Sequence, residues 1–270
     1  MTEHHHGNPP VTQALHVPAN ASDRVLVHSW MRDGAMQSAW PGDSIPVPPD
    51  GAPIHVRIIN FPIGSIREVY LDAGVRTHPH PSYEDVLFYQ ITGRRVQMCE
   101  QDTGLLNPGD VSFEPNGVDH STHQLIGGLF VEFALPAPVR QDGRGEWLRA
   151  DQAREIACAT WIDAGAVQSA EGPDAFWAPD HAPRHTRRIF SFAGHDVIET
   201  VMPEGTYTAP RQECHDTLFY VVAGNGAVTI GDESHVLQTA DSFRVPAAVR
   251  YAVQASGDLT FIQAAARPLA

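Results

Sequence analysis

Two stretches of this sequence align without gaps and decide its architecture. The first is DAGVRTHPHPSYEDVLFYQITG at residues 72–93, and the second is PEGTYTAPRQECHDTLFYVVAG at residues 203–224, an offset of 203 − 72 = 131. The pairs that are identical at this offset, here and on either side, are Phe61 and Phe192, Glu68 and Glu199, Gly74 and Gly205, Thr77 and Thr208, Asp85 and Asp216, Phe88 and Phe219, Gly93 and Gly224, Asp110 and Asp241, Pro115 and Pro246, and Phe130 and Phe261. A constant offset over this length predicts two copies of one domain.

Each copy consists of short apolar runs rich in β-branched and aromatic residues and separated by Gly and Pro, which is typical of antiparallel sandwiches and barrels. In the first copy the predicted strands are His55–Phe61, Ser65–Leu71, Val86–Ile91, Val96–Cys99, Val111–Phe113 and Gly128–Phe133. Between the copies, Glu146–Ala159 is rich in helix formers and is predicted to be helical. Asp163–Arg184 is expected to be an irregular linker, and residues 1–50 a Pro-rich arm.

Composition excludes several classes of function. The chain has 270 residues, 42% of them hydrophobic, and a formal net charge of −14, which argues against nucleic acid and anionic membrane surfaces as partners. Three cysteines, Cys99, Cys158 and Cys214, cannot form a disulfide framework. With no signal-peptide pattern at the N-terminus and no membrane-length apolar run, we expect a cytoplasmic protein.

Fifteen histidines are many for a chain of this size, and three of them occur in two ordered segments. THPHPSYED at residues 77–85 contains His-x-His followed by acids, between Gly74 and Gly93. GDVSFEPNGVDH at residues 109–120 contains Gly, five residues, Pro-x-Gly, two residues and His. The two segments resemble the two motifs of the cupin superfamily. The second fits without deviation, whereas the first has a shorter Gly-to-His gap and a longer stretch from the acid to the closing Gly.

The resemblance implies an all-β fold of two tandem double-stranded β-helix (cupin, jelly-roll) barrels joined by a short helical linker. The domains expected are an N-terminal arm at 1–50, a metal-binding barrel at 51–138, a linker with one helix at 139–186, and a degenerate barrel at 187–270. Cupin barrels often associate through strands, so a homodimer is possible.

Three histidines are the candidate metal ligands. On a strand, residues i and i+2 face the same side, so His78 and His80 would present two imidazoles to one interior. His120 follows the turn at Pro115 and Gly117 and would add a third. Neutral imidazoles suit one divalent transition metal; the resemblance favours Fe(II), and Mn, Ni or Zn are alternatives.

Glu84 is the candidate fourth ligand, because it shares the strand parity of the position that the family uses and lies soon after His80. The alternative is a three-histidine site, with Glu84 acting beside it as an acid or base. Asp85 recurs as Asp216 in the second copy, where no metal site is apparent, so we interpret it as structural.

Two further residues complete the predicted catalytic set. Arg76 shares strand parity with His78 and His80 and could hold a substrate carboxylate in a bidentate pair; it could equally be a surface residue. Gln90 has the parity of Glu84 and could line the pocket.

The second copy lacks this constellation. At the offset of 131, His78, His80, Glu84 and His120 correspond to Ala209, Arg211, His215 and Tyr251. We therefore expect a barrel without a metal, either structural or binding a small molecule through Arg211, Arg244 and Tyr251.

The resemblance implies a metal-dependent enzyme. We favour an Fe(II)-type dioxygenase of a small phenolic, enolic or β-dicarbonyl substrate, in which an open metal position takes dioxygen. The alternatives are a non-redox decarboxylase, isomerase or lyase, and a non-enzymatic small-molecule-binding or regulatory bicupin. Fold alone does not choose among these.

Overall fold

The computed structural model describes residues 11–17, 31–32, 35–36, 54–77, 79–100, 102–137, 144–163, 166–170, 180–192 and 194–266. These residues fall into two compact units: those within 1–19 and 42–152 belong to the first, and those within 20–41 and 153–270 to the second. Among the described residues, no helix is long and apolar enough to cross a membrane.

Strands make up nearly all of the regular structure. Up to residue 148 they are β1 (Val11–Val17), β2 (Met31–Arg32), β3 (Ala35–Met36), β4 (Ile54–Phe61), β5 (Gly64–Leu71), β6 (His80–Pro81), β7 (Asp85–Gln90), β8 (Arg94–Cys99), β9 (Asp102–Leu106), β10 (Val111–Glu114), β11 (Asp119–Ile126), β12 (Gly128–Leu135) and β13 (Glu146–Leu148). After a 3₁₀ turn at Ala150–Gln152 they are β14 (Arg154–Asp163), β15 (Ala166–Ala170), β16 (Arg184–Phe192), β17 (His195–Met202), β18 (Arg211–Gln212), β19 (Thr217–Ile230), β20 (Glu233–Gln238), β21 (Ser242–Val245) and β22 (Arg250–Ala266).

The first unit has two sheets. One has the strand order β1-β4-β5-β12-β7-β10-β13 and the other β6-β11-β8-β9. All neighbours pair antiparallel except β1, which runs parallel to β4. Each of the six strands predicted in this unit is present, with ends within two residues of the prediction.

The second unit repeats this plan with longer strands. Its sheet has the order β15-β14-β16-β17-β22-β19-β20, with β18 on β22 and β21 on β19. At the offset of 131, β19 covers the positions of β7 and β8, and β22 those of β11 and β12. Strands β16, β17, β18, β20 and β21 correspond to β4, β5, β6, β9 and β10. The all-β fold of two tandem jelly-roll barrels is confirmed.

A strand-start aspartate supports the same turn in both units. Asp85 Oδ1 accepts a hydrogen bond from the Asn116 backbone N–H at 2.8 Å. Asp216 Oδ1 accepts one from the Ala247 N–H at 2.6 Å, and each of these residues is 131 positions after its counterpart. Asp85 therefore has the structural role that the repeat indicates.

Other internal contacts recur at the same offset. The Arg57–Glu68 ion pair at 3.0 Å corresponds to Arg188–Glu199 at 3.5 Å. The hydrogen bond from the Thr122 N–H to Thr77 Oγ1, 2.8 Å, corresponds to that from the Val253 N–H to Thr208 Oγ1, 2.9 Å. The hydrogen bond from the Asn107 N–H to Asp110 Oδ2 corresponds to that from the Gln238 N–H to Asp241 Oδ2, and both are 2.7 Å long. The repeat in sequence is thus a repeat of specific interactions.

The predicted helix at Glu146–Ala159 was wrong. Glu146–Leu148 forms β13 on the edge of β10, and Arg154–Asp163 forms β14 along β16. Pairing with these sheet edges outweighs the modest helix propensity of the segment. The segment 139–186, expected to be a linker, therefore contributes strands to both units where it is described. Most of the expected arm, residues 1–50, lies outside the described residues.

We expect Asp85→Ala to lower the free energy of unfolding by about 1–3 kcal/mol, because it leaves a buried N–H without its acceptor. Asp216→Ala should cost less, since its hydrogen bond to Ala247 is exposed. Urea unfolding followed by circular dichroism measures both. A larger loss for Asp216→Ala than for Asp85→Ala would contradict this interpretation.

Candidate metal centre

A cavity of about 310 Å³ lies in the first unit. Its wall comes from both sheets, with apolar side chains from Val56, Ile58, Val69, Leu71, Phe88 and Phe130 and polar ones from Arg67, Thr77, His80, Gln97, His120, Thr122 and Glu132. Every second residue contributes along β4, β5, β11 and β12, as strand alternation requires. The cavity is therefore the interior of the barrel.

Two of the predicted histidines meet at this wall. His80 on β6 pairs directly opposite His120 on β11, and their ring centroids lie 4.5 Å apart. His120 is only 6% exposed, whereas His80 is on the exposed side of the site. Two imidazoles at this spacing offer nitrogen donors to one position in the cavity.

His120 is held by one ring nitrogen. Its Nδ1 lies 3.3 Å from the Val118 carbonyl oxygen and 3.2 Å from Glu114 Oε2. Burial, with the charge of His80 adding to it, lowers the pKa of His120 to about 4. The ring is therefore neutral near neutral pH, as a metal ligand must be, and its Nε2 is the nitrogen available to a metal.

Behind His120 lies a chain of buried polar side chains. Gln97 Nε2 donates a hydrogen bond to Glu114 Oε1, and Thr122 Oγ1 donates one to Gln97 Oε1 at 2.6 Å. Gln97 and Glu114 are fully buried. The hydrogen bonds thus run from Thr122 through Gln97 to Glu114, whose Oε2 lies 3.2 Å from His120 Nδ1.

A buried arginine stands next to this chain. The Arg95 guanidinium is fully buried, with its carbon 3.9 Å from the Phe130 ring centroid and 4.7 Å from that of Phe88. Its three nitrogens have no hydrogen-bond partner among the described residues. Burial lowers the pKa of Arg95 to about 10, and Glu114 opposes that shift. Burial raises the pKa of Glu114 well above its usual range, with Arg95 opposing.

Glu132 on β12 is the carboxylate of the cavity wall. Its side chain is 15% exposed, and its Oε2 lies 3.6 Å from Arg67 Nη1. Burial raises the pKa of Glu132, while Arg67, Arg95 and His80 oppose that effect. The cavity therefore holds a carboxylate whose affinity for a proton is increased.

His78 lies outside the described residues, so its ligand role remains a prediction. Among the described residues, no three His, Cys, Asp or Glu side chains are grouped so as to hold a metal. Strand β6 contains only His80 and Pro81, and Pro79 lies outside it. Pro79 and Pro81 lack the N–H that a continuing ladder needs. The donor set, two imidazoles with a third histidine two residues away in sequence, suits a transition metal.

Glu84 is bound to an arginine of the cavity. Its Oε2 accepts a hydrogen bond from Arg67 Nη2 at 3.0 Å, and its side chain is 34% exposed. It is not among the residues that line the cavity. Arg67 therefore links the predicted Glu84 to the cavity carboxylate Glu132.

Arg76 and Gln90 lie away from the cavity wall. Arg76 is exposed, and its backbone forms a bridge to His123. Gln90 is fully buried, and its Nε2 donates to the Thr92 carbonyl at 2.5 Å. Their catalytic roles remain predictions, and no contact of either residue with the cavity supports them.

Sequence reasoning missed the residues that make this interior polar, which are Arg67, Arg95, Gln97, Glu114 and Glu132. Their counterparts at the offset of 131 are Ile198, Gly226, Val228, Val245 and Gln263. The sequence did contain a signal for these residues. In four of the five cases, a polar or charged residue of the first copy aligns with an apolar residue or Gly in the second.

The second unit has a packed interior at these positions. Val228, Val245 and Tyr251 belong to one buried apolar cluster, and the Tyr251 hydroxyl donates to Glu213 Oε1 at 2.8 Å. Burial raises the pKa of Tyr251, so its hydroxyl stays protonated near neutral pH. The expectation that Arg211, Arg244 and Tyr251 bind a small molecule remains untested.

The low pKa of His120 predicts a pH effect on the metal-free protein. Its pKa is about 4 in the folded chain against 6.5 for a free imidazole, so the unfolded chain takes up the proton first as the pH falls. Unfolding free energy should fall between pH 6.5 and about 4, by on the order of 3 kcal/mol from this group. His120→Gln should flatten the slope in that window, whereas exposed His181→Gln should not. Urea titrations across the pH series measure it, and an unchanged slope in His120→Gln would refute the assignment.

Part of the sequence matches the model of a known protein family. The family model described as "Cupin domain" matches residues 197–262, which lie in the second unit. No curated protein matches the sequence at a significant level.

Solved structures with the same architecture cover about three quarters of the chain. AerE from Microcystis aeruginosa has a TM-score of 0.58 at 11% identity, covering 78% of this chain and 91% of its own. Oxalate decarboxylase from Bacillus subtilis, described with Mn(II) centres, has a TM-score of 0.56 at 12% identity, covering 77% and 70%. Salicylate 1,2-dioxygenase from Pseudaminobacter salicylatoxidans has a TM-score of 0.52 at 16% identity, covering 76% and 71%.

At these identities the likeness shows the fold. Residues 197–262 match the cupin-domain model, and the internal repeat and the neighbouring structures show that the chain has the fold of two tandem cupin-type barrels.

Proposed function

We propose that the first unit is a metal-dependent cupin enzyme, and that it is an Fe(II)-type dioxygenase of a small oxygenated substrate. The observation that carries the proposal is a pair of imidazoles, His80 and His120, with ring centroids 4.5 Å apart on the wall of a cavity of about 310 Å³. His78, two residues before His80, is the proposed third ligand. When bound, Fe(II) would supply open positions for substrate oxygens and for dioxygen.

The cavity wall suits a small ring or enol. Phe88, Phe130 and Val69 provide an apolar surface on which a planar substrate can pack. Such contacts would orient the oxygenated edge of the substrate toward His80 and His120 and exclude water from the opposite side.

Glu132 is the proposed proton acceptor for a phenolic or enolic hydroxyl. It lines the cavity, and the raised pKa of its carboxyl brings its basicity closer to that of the group it must deprotonate. Arg67 lies 3.6 Å from Glu132 and 3.0 Å from Glu84, so it holds both carboxylates. This ion pair favours the alternative in which Glu84 acts beside the site over the one in which it is a fourth ligand.

A non-redox decarboxylase, isomerase or lyase using Mn, Ni or Zn is the second candidate. A cavity carboxylate that takes up and returns a proton is also what such a reaction requires, and Glu132 supplies it. Oxalate decarboxylase and salicylate 1,2-dioxygenase share the fold, so the fold does not distinguish the two candidates. Consumption of dioxygen during turnover does, because only a dioxygenase uses it up. Tight binding without product would indicate the small-molecule-binding alternative.

We expect His78→Ala, His80→Ala and His120→Ala each to lose the one equivalent of metal that the wild-type protein carries. Removing one of three ligands takes away a donor that the other two cannot replace. Elemental analysis of protein purified without an immobilised-metal column measures this, with exposed His181→Ala as the control. Full metal content in the three variants would reject the site.

We expect Glu132→Gln to keep the metal and to lower kcat by about 100-fold, since it removes a general base without removing a ligand. An oxygen electrode and product analysis with gentisate, salicylate and oxalate as probes measure the rate. Glu84→Gln, at the other end of the Arg67 contacts, should reduce the rate less. Turnover without oxygen uptake would replace the dioxygenase by the second candidate, and an unchanged rate would remove Glu132 from the mechanism.

A further inference from the structure

We propose that Glu114 is a positioning residue for His120, and that the chain of Thr122, Gln97 and Glu114 exists to hold that imidazole with Nε2 toward the cavity. This inference rests on the proposed metal site and adds to it the residues that orient a ligand. Its evidence is the direction of the hydrogen bonds and the comparison of the two units.

The direction of the hydrogen bonds follows from Val118. Its carbonyl oxygen can only accept, and it lies 3.3 Å from His120 Nδ1. Nδ1 therefore carries the proton, and Glu114 Oε2 faces that nitrogen at 3.2 Å, a close contact without hydrogen-bond geometry. An imidazole with its proton on Nδ1 has its lone pair on Nε2, which is the arrangement a metal ligand in the cavity needs.

The orientation of Glu114 is fixed from its other oxygen. Gln97 Nε2 donates to Glu114 Oε1, so the Gln97 amide has its oxygen pointing away, where Thr122 Oγ1 donates to it. The two hydrogen bonds agree on one orientation of the Gln97 amide, with its nitrogen toward Glu114 and its oxygen toward Thr122. They hold Glu114 through Oε1 and leave Oε2 directed at His120 Nδ1, 3.2 Å away.

The second unit shows that the barrel does not need this chain. The counterparts of Gln97, Glu114 and Thr122 are Val228, Val245 and Val253, all buried in one apolar cluster. The counterpart of His120 is Tyr251. Three polar side chains are thus present in the unit that has the histidine and are all valine in the unit that lacks it.

Burying a carboxyl group lowers the stability of the fold, and the packing of the barrel does not require one at position 114. Glu114 is fully buried, and removing a carboxylate from water costs several kcal/mol unless its surroundings compensate. Valine at the matching position of the second unit avoids that cost. Retaining Glu114 is accounted for by its contact with His120.

The decisive measurement is the tautomer of His120 in the metal-free, full-length protein. A long-range proton–nitrogen NMR spectrum of ¹⁵N-labelled protein near neutral pH reports it, with the signal assigned by its loss in His120→Gln. We expect the proton on Nδ1 in the wild type, which is the opposite of what a neutral histidine side chain in water prefers. In Glu114→Val we expect a shift toward Nε2–H.

The second readout is Co(II) affinity, followed by the absorption of the bound ion. Glu114→Val should weaken binding about 10–100-fold, as loss of a partner behind a metal ligand does. Glu114→Gln keeps the side-chain volume but has one acceptor oxygen, which Gln97 Nε2 already uses. Its amide NH2 would then face His120 Nδ1, so we expect a shift toward Nε2–H and a loss of affinity here as well. Thr122→Val, at the far end of the chain, should give a smaller loss. The last two nearly preserve side-chain volume and carry the test if Glu114→Val does not fold.

A wild-type His120 with its proton on Nε2 would overturn the proposal. So would a Glu114→Val variant in which either the tautomer or the Co(II) affinity is unchanged, or, if that variant does not fold, a Thr122→Val variant with wild-type affinity. If the wild-type protein binds no Co(II), the proposed metal site fails, and the tautomers of the wild type and of Glu114→Gln still decide whether Glu114 orients the ring.

Discussion

The constraint on which both units depend is that strands closing around one interior send every second side chain into it. In each unit two phenylalanines occupy this interior at the same spacing, Phe88 and Phe130 at 6.0 Å and Phe219 and Phe261 at 6.1 Å between ring centroids. A third ring meets the first of them at an interplanar angle of 69° in both units, and it is His120 in one and Tyr251 in the other. The candidate ligand thus occupies an aromatic packing position of the fold.

The residues around that ring differ between the units, and they determine whether the interior is a polar cavity or an apolar core. In the second unit, valines pack around the aromatic rings, and no buried charge has to be compensated at those positions. In the first unit, Glu114 and Arg95 are both fully buried. Stacking of the guanidinium on Phe130 and Phe88, with attraction to the carboxylates, offsets part of the desolvation cost. The first interior is therefore the less favourable one for stability, which is the common cost of a functional site.

The sequence predicts the strands and the repeat well because both follow from local patterns. It fails at Glu146–Ala159, where helix propensity is outweighed by sheet edges that lie far away in sequence. It also fails at Glu132 and Glu114, since alternation shows which way a side chain points but not which partners other strands bring to it. His80 and His120 were found from their motifs, whereas the contact between Glu84 and Arg67 depends on a turn whose path the pattern does not specify.

The two copies also separate folding from chemistry. Asp85 and Asp216 accept hydrogen bonds from backbone N–H groups at corresponding positions, so residues of this kind stabilise the barrel itself. The family model matches residues 197–262, in the copy without the histidines, which shows that the family pattern can persist without the candidate ligands. Some positions correspond in backbone but differ in polarity between the copies. Selection for stability alone would have made the residues at these positions alike, so the differences indicate another requirement. Glu114 and Gln97, opposite Val245 and Val228, are such positions, and they lie directly behind His120.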